Sequence, residues 1–433
     1  MESWLSENSN IRSVRIAASD LNGQARGKRI PSKFAGKLTK DGARFPFSVL
    51  NLDICGEDIA DSPLVFETGD ADAVVRPTER GLLPMPWLEG GSALLPVWMF
   101  HEDDRPFEGD PRHALARIKD RYTQMGLTAV VATELEFYLI DPTNPILNTG
   151  ADTLGLRSLD AFDGFFTDLY DACDAMDIPA DAAISEAGAG QFEINLIHVD
   201  DMLKAADDAW LFKLLVRGLA QKHGVTASFM AKPHADQSGN GMHMHFSLLD
   251  AQGDNIFDDG GSAGSKRLLS AIAGCLNAMP ASMLVLAPHA NSYNRLVPGA
   301  HAPTKICWAY ENRTVAIRVP GGSHKARRIE HRVAGGDVNP YLLLSAVLGA
   351  ALDGIEQDMT PPPPVSGNAY ALDIAELPKT WEDALDRFET DTALTQIFPR
   401  TLIENMCFTK RQEMKTLTVL SEEERIALYL QFL

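Results

Sequence analysis

The 433-residue chain has no CxxC pair; its five cysteines, Cys55, Cys173, Cys275, Cys307 and Cys407, are scattered. That excludes a disulfide framework and reads as reduced thiols in a cytoplasm. Positive charge is scarce: 39 Lys and Arg against 59 Asp and Glu leave a formal charge of −20. The phosphate backbone of duplex nucleic acid would be repelled, so no nucleic-acid partner is expected. No uncharged apolar run is long enough to span a bilayer, and MESWLSENSNIRSVR lacks the basic start and apolar stretch of a secretory leader. No membrane partner and a cytoplasmic location are therefore expected. Neither a Walker A nor a GxGxxG loop is present, so a nucleotide would sit outside a P-loop or Rossmann site. Internal repeats and low-complexity segments are also missing.

What is present is a globular composition, with 45% hydrophobic and 23% charged residues, in a chain too long for one ordinary core. Two domains are expected, a small one over 1–105 and a large one over 106–433. The first is strand-rich and broken by turns: IRSVRIAASDLNGQARGKRI predicts a hairpin around Asn22-Gly23, and PFSVLNLDICGED and the Pro- and Gly-punctuated segment ending at Phe100 add strand-like pieces. Near Asp110-Pro111 the texture changes to an amphipathic helix that runs to Gly126. Beyond Thr128, strands alternate with long helices, which makes the chain α+β. Ser421 and Glu424 form a capping box for a terminal helix.

Four segments combine an apolar side with an ionisable one. On a strand, TELEFYLI places Glu134 and Glu136 on one face and Leu135, Phe137 and Leu139 on the other. GQFEINL does the same with Gln191, Glu193 and Asn195, GMHMHFSL with His243, His245 and Ser247, and RRIEHRV with Arg328, Glu330 and Arg332. A solvated sheet face is ordinarily rich in Lys, Thr and Ser; these faces hold Glu and His. Carboxylates gathered there would repel one another unless cations lay between them. Several Glu with one or two His form an oxygen-rich donor set that suits Mg²⁺ or Mn²⁺ better than structural zinc.

A basic cluster follows, with Arg295, Arg313, Arg318, Lys325, Arg327, Arg328 and Arg332 in an otherwise acidic chain. Cations beside an acidic metal site suit a phosphate donor, because metals bridge phosphates and arginines stabilise the charge that develops in transfer.

Six blocks now carry a resemblance: TELEFYL, SEAGAGQFEIN, SFMAKPHADQSGNGMHMHFS, NSYNRLVPG, NRTVAIRVP and KARRIEHRVAGGDVNPYL. In this order they resemble the glutamine synthetase superfamily, type I branch, over nearly the whole chain. The resemblance implies an N-terminal β-grasp-like domain and a catalytic domain whose curved antiparallel sheet, flanked by helices, holds two or more divalent ions. Carried over, one ion falls to Glu136, Glu186 and Glu193, the other to Glu134, His243 and Glu330. His245, Ser247, Arg313, Arg318 and Lys325 would meet ATP, with Arg313 on the transferring phosphate. Gly239, Arg295 and Arg332 would meet L-glutamate. The implied chemistry is phosphorylation of the γ-carboxylate of glutamate by ATP, then displacement of phosphate by an amine. A homo-oligomeric ring, two stacked hexamers, is also implied, each site completed by the neighbour's N-terminal domain.

The departures fall at the amine site. The flap reads PGAHAP where the branch has P-G-Y-E-A-P, placing His301 where a glutamate handles ammonium. In place of a D-G-S-S latch stands NLDICGED, with Asp53 in the ammonium-side position. The chain therefore looks most like the γ-glutamylpolyamine and γ-glutamylputrescine synthetase-like group, with His301 and Asp53 as base candidates. Alternatives are an ammonia-using glutamine synthetase, a γ-glutamylmethylamide-type synthetase, a silent relative and a metal hydrolase; the six retained ligands weigh against a silent protein. Tyr370 lies in a setting similar to the family's adenylylation loop, but the loop around it differs, and no modification is expected.

Overall fold

The computed structural model describes residues 1–40, 42–141, 143 and 152–433. Its first sheet has β1 (Ser13–Ser19), β2 (Ala25–Pro31), β3 (Ala43–Pro46), β4 (Asp72–Pro77), β5 (Leu83–Pro84) and β6 (Ser92–Phe100), in the order β2-β1-β6-β4-β3 with β5 on β6. β1 and β2 form the antiparallel hairpin expected around Asn22-Gly23, with Gly23 at φ 76°. PFSVLNLDICGED is not a strand: it is a 3-10 turn over Phe47–Leu50 followed by a loop. The carboxylate of Asp53 explains this, since it accepts hydrogen bonds from the backbone N–H groups of Cys55 and Glu57, competing with a ladder.

β6 is apolar on both sides because both sides are covered. Leu95, Val97 and Met99 join Val14, Ile16, Ala18, Phe45 and Phe107 in a small core. Leu94 faces the other way, into the large core with Ala17, Leu83 and Trp87.

The second sheet comprises β7 (Thr128–Ile140), β8 (Ala180–Ser185), β9 (Gln191–Val199), β10 (Thr226–Ser228), β11 (Met242–Leu249), β12 (Trp308–Tyr310), β13 (Ile317–Val319) and β14 (Ile329–His331). Its order is β12-β13-β14-β11-β7-β9-β8, with β10 on β7. Pairing is antiparallel except between β12 and β13, which are parallel. Leu135, Phe137, Phe192, Ile194, Met242, Met244 and Phe246 are buried on one face, so the alternating residues occupy the other.

Eight helices matter here: α1 (Pro111–Gln124), α2 (Asp163–Ala175), α3 (Met202–Lys222), α4 (Lys266–Ala278), α5 (Pro340–Glu356), α6 (Trp381–Thr390), α7 (Arg400–Leu417) and α8 (Glu422–Phe432). α3 and α2 cover the apolar face, with Phe212 and Phe165 packed around Phe137. α5 starts at Pro340 behind an Asn339 cap that accepts from the Tyr341 and Leu342 N–H groups. It is apolar nearly all round because α1, α3 and α4 surround it. Among the described residues no helix is long and apolar enough to cross a membrane.

α4 meets α5 through Gly274 and Gly354, where a Cβ on either glycine would strike the partner helix's backbone, Ala350 O or Ser270 O. Gly274→Val is therefore expected to destabilise the fold by about 1–3 kcal/mol or more. A lowered midpoint in urea or thermal unfolding checks this; an unchanged midpoint contradicts the close helix contact.

Candidate functional site

Strand register decides which polar side chains meet. On β7, Glu134 lies directly opposite His243 of β11, and Glu136 directly opposite Glu193 of β9. Across β11, His245 faces Glu330 of β14, and Glu330 faces Arg318 of β13. Five strands thus share one polar face.

Two groups of candidate ligands result. Glu134, His243 and Glu330 bring one ligand atom each within 4.8 Å of one another, as do Glu136, Glu193 and His243. The first group is the set expected from the sequence. In the second, Glu136 and Glu193 meet as expected, but His243 rather than Glu186 completes the trio. Glu186 lies one residue past β8, and its carboxyl is pushed up to about 7 by burial and by the charges of Glu136 and Glu134. Burial, with Glu134, Glu136 and Glu186 as neighbours, pushes the Glu193 carboxyl up to about 9. Burial also opposes ionisation of Glu134, yet hydrogen bonds and charge from His243 and His245 hold it well below the ordinary carboxylate range. His243 Nδ1 lies 3.2 Å from Glu134 Oε2, while its buried Nε2 has no hydrogen-bond partner among the described residues. An excess of buried carboxylate with an imidazole nitrogen left over fits a divalent, oxygen-preferring cation.

Arginines close one side. Glu330, 1% exposed, accepts from Arg318 Nη1 at 2.7 Å and from Arg332 Nη1; burial opposes its ionisation, yet the charges of Arg332, His243 and His245 hold its carboxyl below the usual range. Arg328 donates from Nε to His245 Nδ1 at 3.1 Å, leaving His245 Nε2 2.9 Å from Glu134 Oε1. Arg328 thus belongs in the site; the sequence places it on the ionisable face of RRIEHRV and in the basic cluster but assigns it no partner. Ser247 lies further along β11, and Lys325 is exposed on the short turn His324–Ala326. Arg313 is exposed in the turn before β13 and acts on Glu186 by its charge.

Arg295 follows the 3-10 turn Ala290–Asn294, is 4% exposed, and donates from Nη1 to the Val333 carbonyl at 2.9 Å. It also explains two glycines. A Cβ on Gly239 would strike Ala231 O and come within 2.9 Å of Arg295 Cγ; on Gly241 it would come within 2.6 Å of Arg295 Nη2. Crowding by the arginine requires small residues there, before any substrate is considered. The Gly241 N–H donates to Glu136 Oε2 at 2.6 Å, tying this loop to the carboxylate face.

The amine-side candidates are placed differently. His301 is exposed at φ 56°, a left-handed position uncommon outside glycine. Asp53 is buried; beyond Cys55 and Glu57, its carboxylate accepts from Gln412 Nε2 of α7 at 3.1 Å. Within this chain, then, the Asp53 carboxylate orders its own loop.

A face of carboxylates and histidines flanked by buried arginines can hold divalent ions beside anionic groups. Residues 108–429 match the glutamine synthetase catalytic domain. The gamma-glutamylputrescine synthetase of Escherichia coli (strain K12) is 38% identical over 399 residues, covering 89% of this chain and 84% of the relative. A glutamine synthetase of Methanocaldococcus jannaschii is 35% identical over 79% of this chain and 80% of its own. The solved structure of GmaS in complex with ADP superposes with a TM-score of 0.86 at 28% identity, covering 98% of both chains. The chain belongs to the glutamine synthetase family. It is an ATP-dependent ligase of glutamate and an amine, and its family uses divalent metal.

Carboxylate repulsion predicts opposite effects of one substitution. Glu193→Gln removes a buried carboxyl whose ionisation is opposed by burial and by Glu134, Glu136 and Glu186, and is expected to stabilise the metal-free protein by on the order of 1–3 kcal/mol. The same change is expected to abolish most of the rise in Tm that Mn²⁺ gives the unsubstituted protein. Differential scanning fluorimetry with EDTA and with Mn²⁺ reads both; an undiminished Mn²⁺ shift would contradict the assignment.

Proposed function

We propose that this chain joins the γ-carboxylate of L-glutamate to a primary organic amine, of the polyamine type, through a γ-glutamyl phosphate. The observation that carries the reading is a division within the site. The acidic face and its arginines match the family's motifs, whereas the flap presents His301, exposed and left-handed, where the branch carries a glutamate. Activation is retained and the nucleophile's surroundings are changed. The name of the Escherichia coli relative supports this reading.

In this reading Arg295 and Arg332 hold the carboxylates of glutamate, and their burial strengthens each charge-assisted hydrogen bond. The crowded loop at Gly239 brings backbone close to the same substrate. Glu134, His243 and Glu330 hold one divalent ion, and Glu136, Glu186 and Glu193 the other. When bound, Mg²⁺ or Mn²⁺ neutralises the phosphates of ATP and the carboxylate that attacks them. His245, Ser247, Arg318 and Lys325 line the nucleotide, and Arg313 meets the phosphate in transfer. A primary amine is protonated at neutral pH, so it needs a base before it can attack; the His301 imidazole takes that proton. The assembly we favour is a ring of two stacked hexamers, in which the 1–105 domain meets the 106–433 domain of the next subunit, while the Asp53 carboxylate stays bonded within its own chain.

The test is ATP-dependent phosphate release with L-glutamate, Mg²⁺ and a panel of ammonium, methylamine, ethanolamine, putrescine and spermidine. One organic amine is expected to exceed ammonium by more than about tenfold in kcat/KM, equal to about 1.4 kcal/mol of transition-state stabilisation. If ammonium wins, the chain is a glutamine synthetase with a variant base. His301→Ala is expected to lower kcat with the preferred amine by about 10²-fold while leaving the KM for ATP unchanged. Retention of full activity would remove His301 from the mechanism.

A further inference from the structure

Tyr370 lies some seventy residues beyond the flap in sequence, yet its side chain reaches it. Its Oη donates to the Ala302 carbonyl at 3.0 Å, the residue directly after His301. Burial raises the Tyr370 phenol above its ordinary value, and the charges of Arg332 and Arg295 pull against that rise. The ring therefore lies within electrostatic reach of both arginines assigned to glutamate. One side chain is thus bonded to the flap and feels the charge of the arginine pair.

The segment that carries Tyr370 is anchored on the loop that carries Arg313. Ala369 N–H donates to Thr314 Oγ1 at 3.0 Å, and Asn312 Nδ2 donates to the Gly367 carbonyl at 2.8 Å. Ala369 is fully buried in a small cluster with Cys307, Ala309 and Val315. The flap's far end is zipped to the chain beyond Tyr370, through Ile306 N–H to Ala375 O at 2.9 Å and Leu377 N–H to Thr304 O at 3.0 Å. The phenol extends this clamp from Thr304 back to Ala302, next to the left-handed His301. That backbone conformation costs about 1–2 kcal/mol in a residue with a Cβ, so it persists where neighbouring bonds hold it.

We propose that Tyr370 is a positioning residue: its hydroxyl fixes the flap over Arg295 and Arg332 so that the activated γ-carboxyl meets the amine and not water. This rests on the ligase reading above. With the flap loosened, water attacks the γ-carbonyl of γ-glutamyl phosphate in place of the amine, the carbon–oxygen bond to phosphate breaks, and glutamate and inorganic phosphate are released. The footprint is phosphate release in excess of amide.

Tyr370→Phe removes only the hydroxyl. With the preferred amine, the wild type is expected to release one phosphate per amide formed. The variant is expected to raise that ratio and the amine KM by about three- to tenfold, the scale of one lost hydrogen bond, with the KM for ATP and the unfolding midpoint unchanged. Tyr370→Ala is expected to shift the ratio further in the same direction. A ratio that stays at one in both variants overturns the proposal, whatever happens to stability. If the wild type turns over ammonium alone, the organic-amine reading fails while the ratio, measured with ammonium, still judges Tyr370. If the wild type turns over no amine, both fail, and this shows before any variant is made.

Discussion

Glu136 and Glu193 stand directly opposite one another on neighbouring strands, within a face that also holds Glu134 and Glu186. Like charges so placed repel, and burial removes the water that would screen them. The fold tolerates this only where cations are taken up or protons are held. The rest of the site follows from that constraint. Glu330 is paired within the chain with Arg318 and Arg332, and Glu134 is drawn down by two imidazoles, whereas burial and like charges push the Glu193 and Glu186 carboxyls up. The uncompensated acids mark where an external cation belongs.

The apolar face of the same strands keeps these charges together. A slip of one residue in the pairing of β7 with β11 would turn Glu134 and Glu136 into the core and expose Leu135 and Phe137. Phe137 packs against Phe192, Phe212 and Phe229, so the slip would forfeit this aromatic cluster. Hydrophobic packing thereby sets the positions of the metal ligands. Arg295 is fixed in a similar way, by the Val333 carbonyl and by glycines that leave it room.

Much of this was legible in the sequence because strand periodicity reports directly which residues share a face. The pairs at 134 and 136, 243 and 245, and 330 and 332 all lie on the polar face, and the helices following Asp110 and Ser421 begin at their caps. Partnership across strands was less legible. Periodicity does not say that Glu193 stands opposite Glu136, or that His243 completes their trio in place of Glu186. Asp53 is a base candidate by its motif, because its competing partners, two nearby N–H groups and Gln412 on a helix over three hundred residues away, leave no mark there. Tyr370 was noticed for its loop, but its contact with Ala302 depends on how two distant segments zip together.

The most direct test of the central claim is a crystal structure with Mn²⁺ and ADP, with anomalous scattering measured at the manganese edge. The account predicts two peaks, one beside Glu134, His243 and Glu330 and the other beside Glu136 and Glu193, with Glu186 within coordinating distance of the second. A single peak held by His243 and His245, with Glu193 uncoordinated, would contradict it.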